Sequence, residues 1–198
     1  MNTNKLQVFV FAMLFVVGAF TGCVDEDDDD KTTTTVDTTI KIGFLNPITG
    51  PLEPDAPGFK WGADQAIMDL NKLYPNETFE LVELDSGCSG DVAGPAAQTL
   101  VDSGVVAVVG AACSGASMGA NAVLAAAGIP MISYASTNPG LSDEAAYPHF
   151  YRNVPSDAIQ GPAGAAMMAD AGVTNESLAI LHMTNDYGSG LADSTKAA

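Results

Sequence analysis

Residues Val105 to Pro139 read VVAVVGAACSGASMGANAVLAAAGIPMISYASTNP. The apolar, β-branched run Val105–Val109 predicts a buried strand. It enters a turn of small residues, Gly110-Ala111-Ala112-Cys113-Ser114-Gly115, and then an alanine-rich helix. Gly128 ends that helix, Pro130–Tyr134 supplies a second apolar strand, and Ala135-Ser136-Thr137-Asn138 forms a polar loop. A strand–helix–strand crossover of this kind belongs to a parallel sheet, whose ligands bind outside the carboxyl ends of the strands. Small residues in those loops let backbone approach a ligand, and a helix start offers unpaired N–H groups to an anion. The stretch therefore reads as half of a binding cleft.

The same alternation extends in both directions. Lys41–Asn46 predicts a first strand, followed by the turn-rich loop Pro47–Pro51. Gly58–Leu73 predicts a helix that covers the sheet with Trp61, Ala66, Ile67, Leu70 and Leu73, Trp61 being a packing residue. Phe79–Leu84 alternates as a second strand. Asp91–Ser103 predicts a helix with Asp91 as N-cap, Pro95 near the first turn, and Val92, Ala96, Leu100 and Val101 inward. Beyond the crossover lie a loop at Asn138–Pro148, Phe150–Arg152, and a helix from about Asp157 that holds Ile159, Ala163, Ala166, Met167 and Ala171, with Met167 and Met168 reading as core filler. Leu178–Met183 predicts another strand, and Asn185-Asp186-Tyr187-Gly188 opens a last helix. The expected fold class is α/β, an open, mostly parallel sheet with helices on both faces.

Composition narrows the function. The chain of 198 residues is 47% hydrophobic and carries a net charge of −17, which excludes nucleic acid as a partner because phosphate neutralisation needs clustered Lys and Arg. Seven acids fall between Asp25 and Asp37; the part from residue 40 onward still holds 17 acids against five bases. Met1–Lys5 followed by the apolar run Leu6–Phe20 has the form of a secretory signal, an uncleaved anchor being the alternative. Thr21-Gly22-Cys23 resembles a lipoprotein lipobox, which implies cleavage before Cys23, lipid on its thiol and a membrane tether; Phe20 departs from the usual leucine-like residue. The expected organisation of the N-terminal part is 1–22 signal peptide and 23–39 lipidated acidic and Thr-rich tether, with the globular part from residue 40. The aspartate run lacks the spaced ligands and Gly turn of a calcium site and reads as solvated.

Of the remaining cysteines, Cys88 follows the second strand and Cys113 the third, so both reach the same sheet edge. With adjacent strands about 4.8 Å apart, a disulfide is within reach. An exported chain permits the bond; two free thiols are the other reading. Asn76 and Asn175 each begin a glycosylation pattern.

Taken together, Cys88…Cys113, Cys113-Ser114-Gly115, Gly128-Ile129-Pro130-Met131-Ile132-Ser133, Ala135-Ser136-Thr137-Asn138-Pro139, Arg152-Asn153-Val154-Pro155-Ser156-Asp157 with Gln160-Gly161-Pro162, and Asp186-Tyr187-Gly188-Ser189-Gly190 resemble the periplasmic branched-chain amino-acid-binding proteins. These are the solute receptors of ABC importers, with the type I periplasmic-binding fold. The resemblance runs from about Ile40 to the end, and it implies that 40–152 form an N-terminal ligand-binding lobe and that 153–198 are the start of a second lobe, which is only begun and truncated. It implies that Ser114, Ala135 and Thr137 hold the carboxylate and ammonium of an amino acid, and that Tyr187 adds a ring from the second lobe. It also implies an importer permease as partner and a location in the cell envelope, outside the cytoplasm. The family's first loop usually carries an aromatic residue; here Leu52–Pro57 has none, so Asp55 or Glu53 becomes the candidate contact. With most of the closing lobe missing, weak binding is expected of residues 40–198 alone.

Two rivals follow from the same residues. One is a sensing domain for amides, urea or short acids on this fold. The other is a serine hydrolase, since Ala112-Cys113-Ser114-Gly115-Ala116 outlines a nucleophile elbow at Ser114. Alanines stand where an elbow has glycines, and His149 and His182 are the sole candidate bases. No catalytic residue, cofactor or metal ligand set is therefore expected.

Overall fold

A computed structural model describes residues 39–198. The signal, Cys23 and the tether up to residue 38 lie outside the described residues, and Thr39 belongs to the first strand. Five strands form one sheet in the order β2-β1-β3-β4-β5. These are β1 (Thr39–Asn46), β2 (Thr78–Asp85), β3 (Ala107–Val109), β4 (Met131–Ser133) and β5 (Phe150–Arg152). Every neighbouring pair is parallel, with Phe44 opposite both Glu83 and Val109, and Ile132 opposite both Val109 and Tyr151. The helices are α1 (Ala56–Leu73), α2 (Gly90–Asp102), α3 (Ser114–Ala126), α4 (Asp157–Asp170) and α5 (Asp186–Ala197).

Alternation along the strands sorts the two faces. Leu45, Val108 and Met131 face α2 and α3, where they pack with Ala93, Ala97, Leu100, Ala116, Ala120 and Leu124 into a fully buried core. Ile42, Phe44, Val109 and Ile132 face α1. Alanines dominate the first face because α2 and α3 pack closely: a Cβ on Gly119 would lie 2.5 Å from Gly90 Cα. Gly110, at φ +116, passes so near β1 that a Cβ there would sit 2.5 Å from the Leu45 carbonyl oxygen.

Several expectations are corrected. Ser89, not Asp91, caps α2: its hydroxyl accepts from Asp91 N, and the helix starts at Gly90. Pro95 thus falls in the second turn, where it withholds an N–H from the Asp91 carbonyl. The buried side of α2 is Ala93, Ala97 and Leu100, while Val92 is 41% exposed. On α1 the sheet-facing stripe is Phe59, Ala63, Ala66, Ile67 and Leu70; Trp61 points to solvent, as do Met167 and Ile159 on α4. Phe150–Arg152, given no element above, is the fifth parallel strand. Leu178–Met183 is not a strand, and Leu181 is 97% exposed. An apolar run becomes a strand only where a neighbour takes its N–H and C=O groups, and no strand among the described residues lies beside it.

The Cys88–Cys113 disulfide is present, with Cα atoms 5.0 Å apart. The route differs from the simple expectation, since β2 and β3 are not adjacent and β1 lies between them. The loops after β2 and β3 reach over the end of β1 to meet. Gly50 makes that possible, a Cβ there being 2.7 Å from the Gly87 carbonyl oxygen. Closing a span of 25 residues contributes about 3.5 kcal/mol in the chain-entropy model.

Candidate functional site

The strand order reverses at β1, with β2 on one side and β3 on the other, and a crevice opens at the carboxyl ends of those strands. A cleft of about 830 Å³ occupies it. Pro51, Leu52 and Ser89–Asp91 form one wall, Ala112–Gly115, Ala135 and Thr137 the floor, and Gln160 with Met183–Tyr187 the other wall.

The floor is built from backbone ends and hydroxyls. α3 begins at Ser114 with Cys113 as N-cap, and no side chain caps it, so the first-turn N–H groups face the cleft without an internal partner. Ser114 is 1% exposed, and its Oγ accepts from Asn138 N at 3.2 Å. That bond uses an Oγ lone pair and leaves the Ser114 O–H free to donate.

Beneath the loop lies a buried serine cluster. Ser133 Oγ donates to the Ala111 carbonyl at 2.6 Å and accepts from Ser136 N at 2.9 Å and Ala135 N at 3.3 Å. Ser136 Oγ lies 3.1 Å from the Ala111 and Ala112 carbonyls and 2.8 Å from Ser117 Oγ. These contacts tie the loop after β4 to the turn after β3. Arg152 Nη1 donates to the Asn138 carbonyl at 2.9 Å and to the Ser136 carbonyl at 3.4 Å, fixing the loop from β5. Desolvation lowers the Arg152 pKa, and the nearby Asp157 charge opposes that shift.

Thr137 joins the floor to α4: its Oγ1 donates to Asp157 Oδ2 at 2.8 Å, and its carbonyl accepts from Asp157 N at 2.9 Å. Asn185 caps α5, accepting from Gly188 N at 2.8 Å, and so aims the first turn bearing Tyr187 at the cleft. The missing side chain of Gly115 leaves room for the Asp186 carboxylate against α3.

Ser114, Ala135, Thr137 and Tyr187 therefore meet in one cleft, and Asp55 does not line it. Asp55 is exposed at the end of a short 3-10 turn, Glu53–Asp55, and the first loop brings Pro51 and Leu52 instead. Neither histidine lines the cleft. Sequence reasoning missed Ser133, Ser136, Ser117 and Asp157. The first two had one signal, polar residues at and just after the end of an apolar strand at the binding edge; Asp157 read only as a helix start. A second hollow of about 830 Å³ lies between α1 and the sheet, lined by side chains such as Phe59, Ile67 and Ile132. No charged residue among the described residues lines it, so they give it no anchor for an ionised ligand.

Residues 39–198 match the family model of the periplasmic binding proteins. The chain belongs to that family. It is 31% identical over 160 residues to the leucine-, isoleucine-, valine-, threonine- and alanine-binding protein of Pseudomonas aeruginosa, covering 80% of this chain and 42% of the relative. It is 30% identical over 155 residues to the Leu/Ile/Val-binding protein of Escherichia coli, covering 77% and 42%. Among solved structures, the branched-chain amino acid transporter substrate-binding protein LivJ of Streptococcus pneumoniae, in complex with isoleucine, aligns with a TM-score of 0.66 at 27% identity. That alignment covers 81% of this chain and 46% of the other. An ABC transporter substrate-binding protein of Desulfitobacterium hafniense in complex with leucine gives 0.62 at 28% identity, with coverage of 81% and 46%. The chain thus spans under half the length of these family members, all named as binding proteins.

Proposed function

We propose that this periplasmic binding protein is an extracytoplasmic receptor for an α-amino acid, branched-chain-like, which it delivers to an ABC importer without chemical turnover. The observation that carries the reading is the floor of the cleft. A carboxylate wants convergent donors, and the free Ser114 O–H stands with the uncapped α3 N-terminus, where the helix dipole also favours negative charge. Beside it the Ala135 carbonyl, which takes no hydrogen bond among the described residues, is an acceptor for an ammonium. Tyr187 and Leu52 offer apolar surface for a side chain. The named ligands of the relatives support the class: leucine, isoleucine and valine.

In the same reading, residues 1–22 export the chain, Cys23 anchors it to the membrane by lipid, 23–39 tether it, 40–152 form the first lobe and 153–198 begin the second. The partner is the importer's permease. The absence of a histidine from the cleft lining disfavours Ser114 as a nucleophile.

Calorimetric titration of the full-length protein tests the proposal, with L-leucine, L-isoleucine, L-valine, acetamide and urea as ligands. Expected are saturable binding of at least one amino acid, recovery of that ligand unchanged, and a loss of about ten-fold or more in affinity on Ser114→Ala. Binding of acetamide or urea alone would replace the receptor with a sensor of amides. Ester hydrolysis abolished by Ser114→Ala would replace it with an enzyme.

A further inference from the structure

We infer that Asp157 is a positioning residue that makes the cleft selective for an ammonium group, acting through Thr137. This rests on the amino-acid reading of the cleft and adds a residue that does not line it. Asp157 is fully buried at the first position of α4. Its Oδ2 accepts the Thr137 hydroxyl at 2.8 Å, and its backbone N–H donates to the Thr137 carbonyl at 2.9 Å. A carboxylate can only accept, so the hydroxyl proton of Thr137 is committed to Asp157. What Thr137 then presents to the cleft is a lone pair, which takes a proton from an ammonium and gives none to a carboxylate. Ser114 has the reverse polarity, because Asn138 N occupies its lone pair and leaves its proton free. The two hydroxyls of the floor are thus set as one donor and one acceptor, which fixes the direction in which a zwitterion lies.

Charge points the same way. Asp157 Oδ1 is buried with no hydrogen-bond partner among the described residues. The nearby guanidinium of Arg152 is directed to the Asn138 and Ser136 carbonyls and to Ser142 Oγ, and it makes no ion pair with Asp157 within 4.0 Å among the described residues. A buried carboxylate without an ion-pair partner is costly, and a cation one hydroxyl away relieves that cost. Asp157 also ties the floor to the opposite wall, since Ser194 Oγ on α5 donates to its carbonyl at 2.7 Å.

The test compares L-leucine with 4-methylpentanoate, the same skeleton without the amino group, on the full-length protein. For the wild type, leucine binds more tightly than the desamino acid. Asp157→Asn keeps the volume and removes the charge. It is expected to weaken leucine about 10-fold or more while leaving 4-methylpentanoate essentially unchanged, so the ratio of the two affinities collapses. Thr137→Val should produce the same selective loss, and Asp157→Asn added to it should change the ratio little further, the non-additivity expected of residues acting through one another. A merely structural role would weaken both ligands together. If Asp157→Asn does not fold, the wild-type complex with leucine at high resolution decides. Thr137 Oγ1 within hydrogen-bond distance of both Asp157 Oδ2 and the ligand nitrogen supports the inference; a rotamer that leaves Asp157 overturns it. Intact leucine selectivity in Asp157→Asn overturns this inference and leaves the amino-acid reading standing. No binding of leucine, isoleucine or valine by the wild type overturns both.

Discussion

Ser133→Ala removes a single oxygen from beneath the ligand loop, and its cost can be worked from the contacts. Ser133 is fully buried, donates to the Ala111 carbonyl and accepts from the N–H groups of Ser136 and Ala135. The Ala111 carbonyl keeps Ser117 and Ser136 as donors after the substitution. The Ser136 N–H, in a residue that is itself fully buried, keeps nothing. A buried donor left unpaired costs about 1–3 kcal/mol, and the lost bonds add about 1 kcal/mol, so about 2–4 kcal/mol is expected. For a unit of this size that lowers Tm by about 4–16 °C. Ser136→Ala gives the contrast. It deletes a hydroxyl whose main partners are carbonyls, leaves no backbone donor orphaned, and should cost about 1 kcal/mol. Urea unfolding followed by far-UV circular dichroism measures both, with an unchanged m-value as the check on a common denatured state. If Ser133→Ala costs no more than Ser136→Ala, or less than about 0.5 kcal/mol, the serine cluster is not what holds the loop.

Two further perturbations probe the frame of the cleft. Gly119→Ala places a methyl against the Gly90 backbone, where its carbonyl oxygen would be 2.7 Å away, and should destabilise by about 1–3 kcal/mol in the same unfolding assay. Alanine is the better helix former, so a stabilised Gly119→Ala protein would show that α2 and α3 can move apart freely. Asp85 supports the first loop by accepting from Thr49 N, Thr49 Oγ1 and Gly87 N. Desolvation raises its pKa, but the hydrogen bonds from Thr49, Gly87 and Ile48 together outweigh it, and the net shift is downward. A carboxyl with a lowered folded-state pKa stabilises above its unfolded value of about 3.9 and loses that contribution as pH falls through the folded value. The stability advantage of wild type over Asp85→Asn should therefore be full at neutral pH and shrink below about pH 4; a constant difference down to acid pH would refute it.

How much of this was legible before folding differs by element. Where a face is set by local period, as in Lys41–Asn46 and Phe79–Leu84, strand and boundary agree with β1 and β2 to within two residues. Helix faces slipped by a residue or two. Val92 and Trp61 look like the natural core choices, yet Ala93 and Phe59 face inward. Close approach of α2 to α3 selects small residues at that contact regardless of hydrophobicity, and on α1 the phase of the helix turns Phe59 inward and Trp61 outward. The run Leu178–Met183 shows the opposite limit, because strand formation depends on a neighbour that sequence pattern does not reveal. At the site, loop composition marked the strand ends around Ser114 and Ala135–Asn138 as a cleft and the family resemblance singled out Ser114, Ala135 and Thr137 within it, whereas Asp55, also singled out, stays outside the cleft.

Sequence by itself determined the α/β class, the parallel crossover and the acidic balance of the chain, and it put Cys88 and Cys113 at one sheet edge, because these follow from period, composition and the position of each cysteine after a strand. Tertiary structure alone decided that β1 sits between β2 and β3, so the Cys88–Cys113 bridge spans the end of a strand instead of joining neighbours. It also decided which way each hydroxyl of the floor points. Ser114 accepts from Asn138 and Thr137 donates to Asp157, contacts separated by 24 and 20 residues along the chain. Hydrogen-bond direction is a property of the pair, and no single residue carries it until the fold has brought the partner.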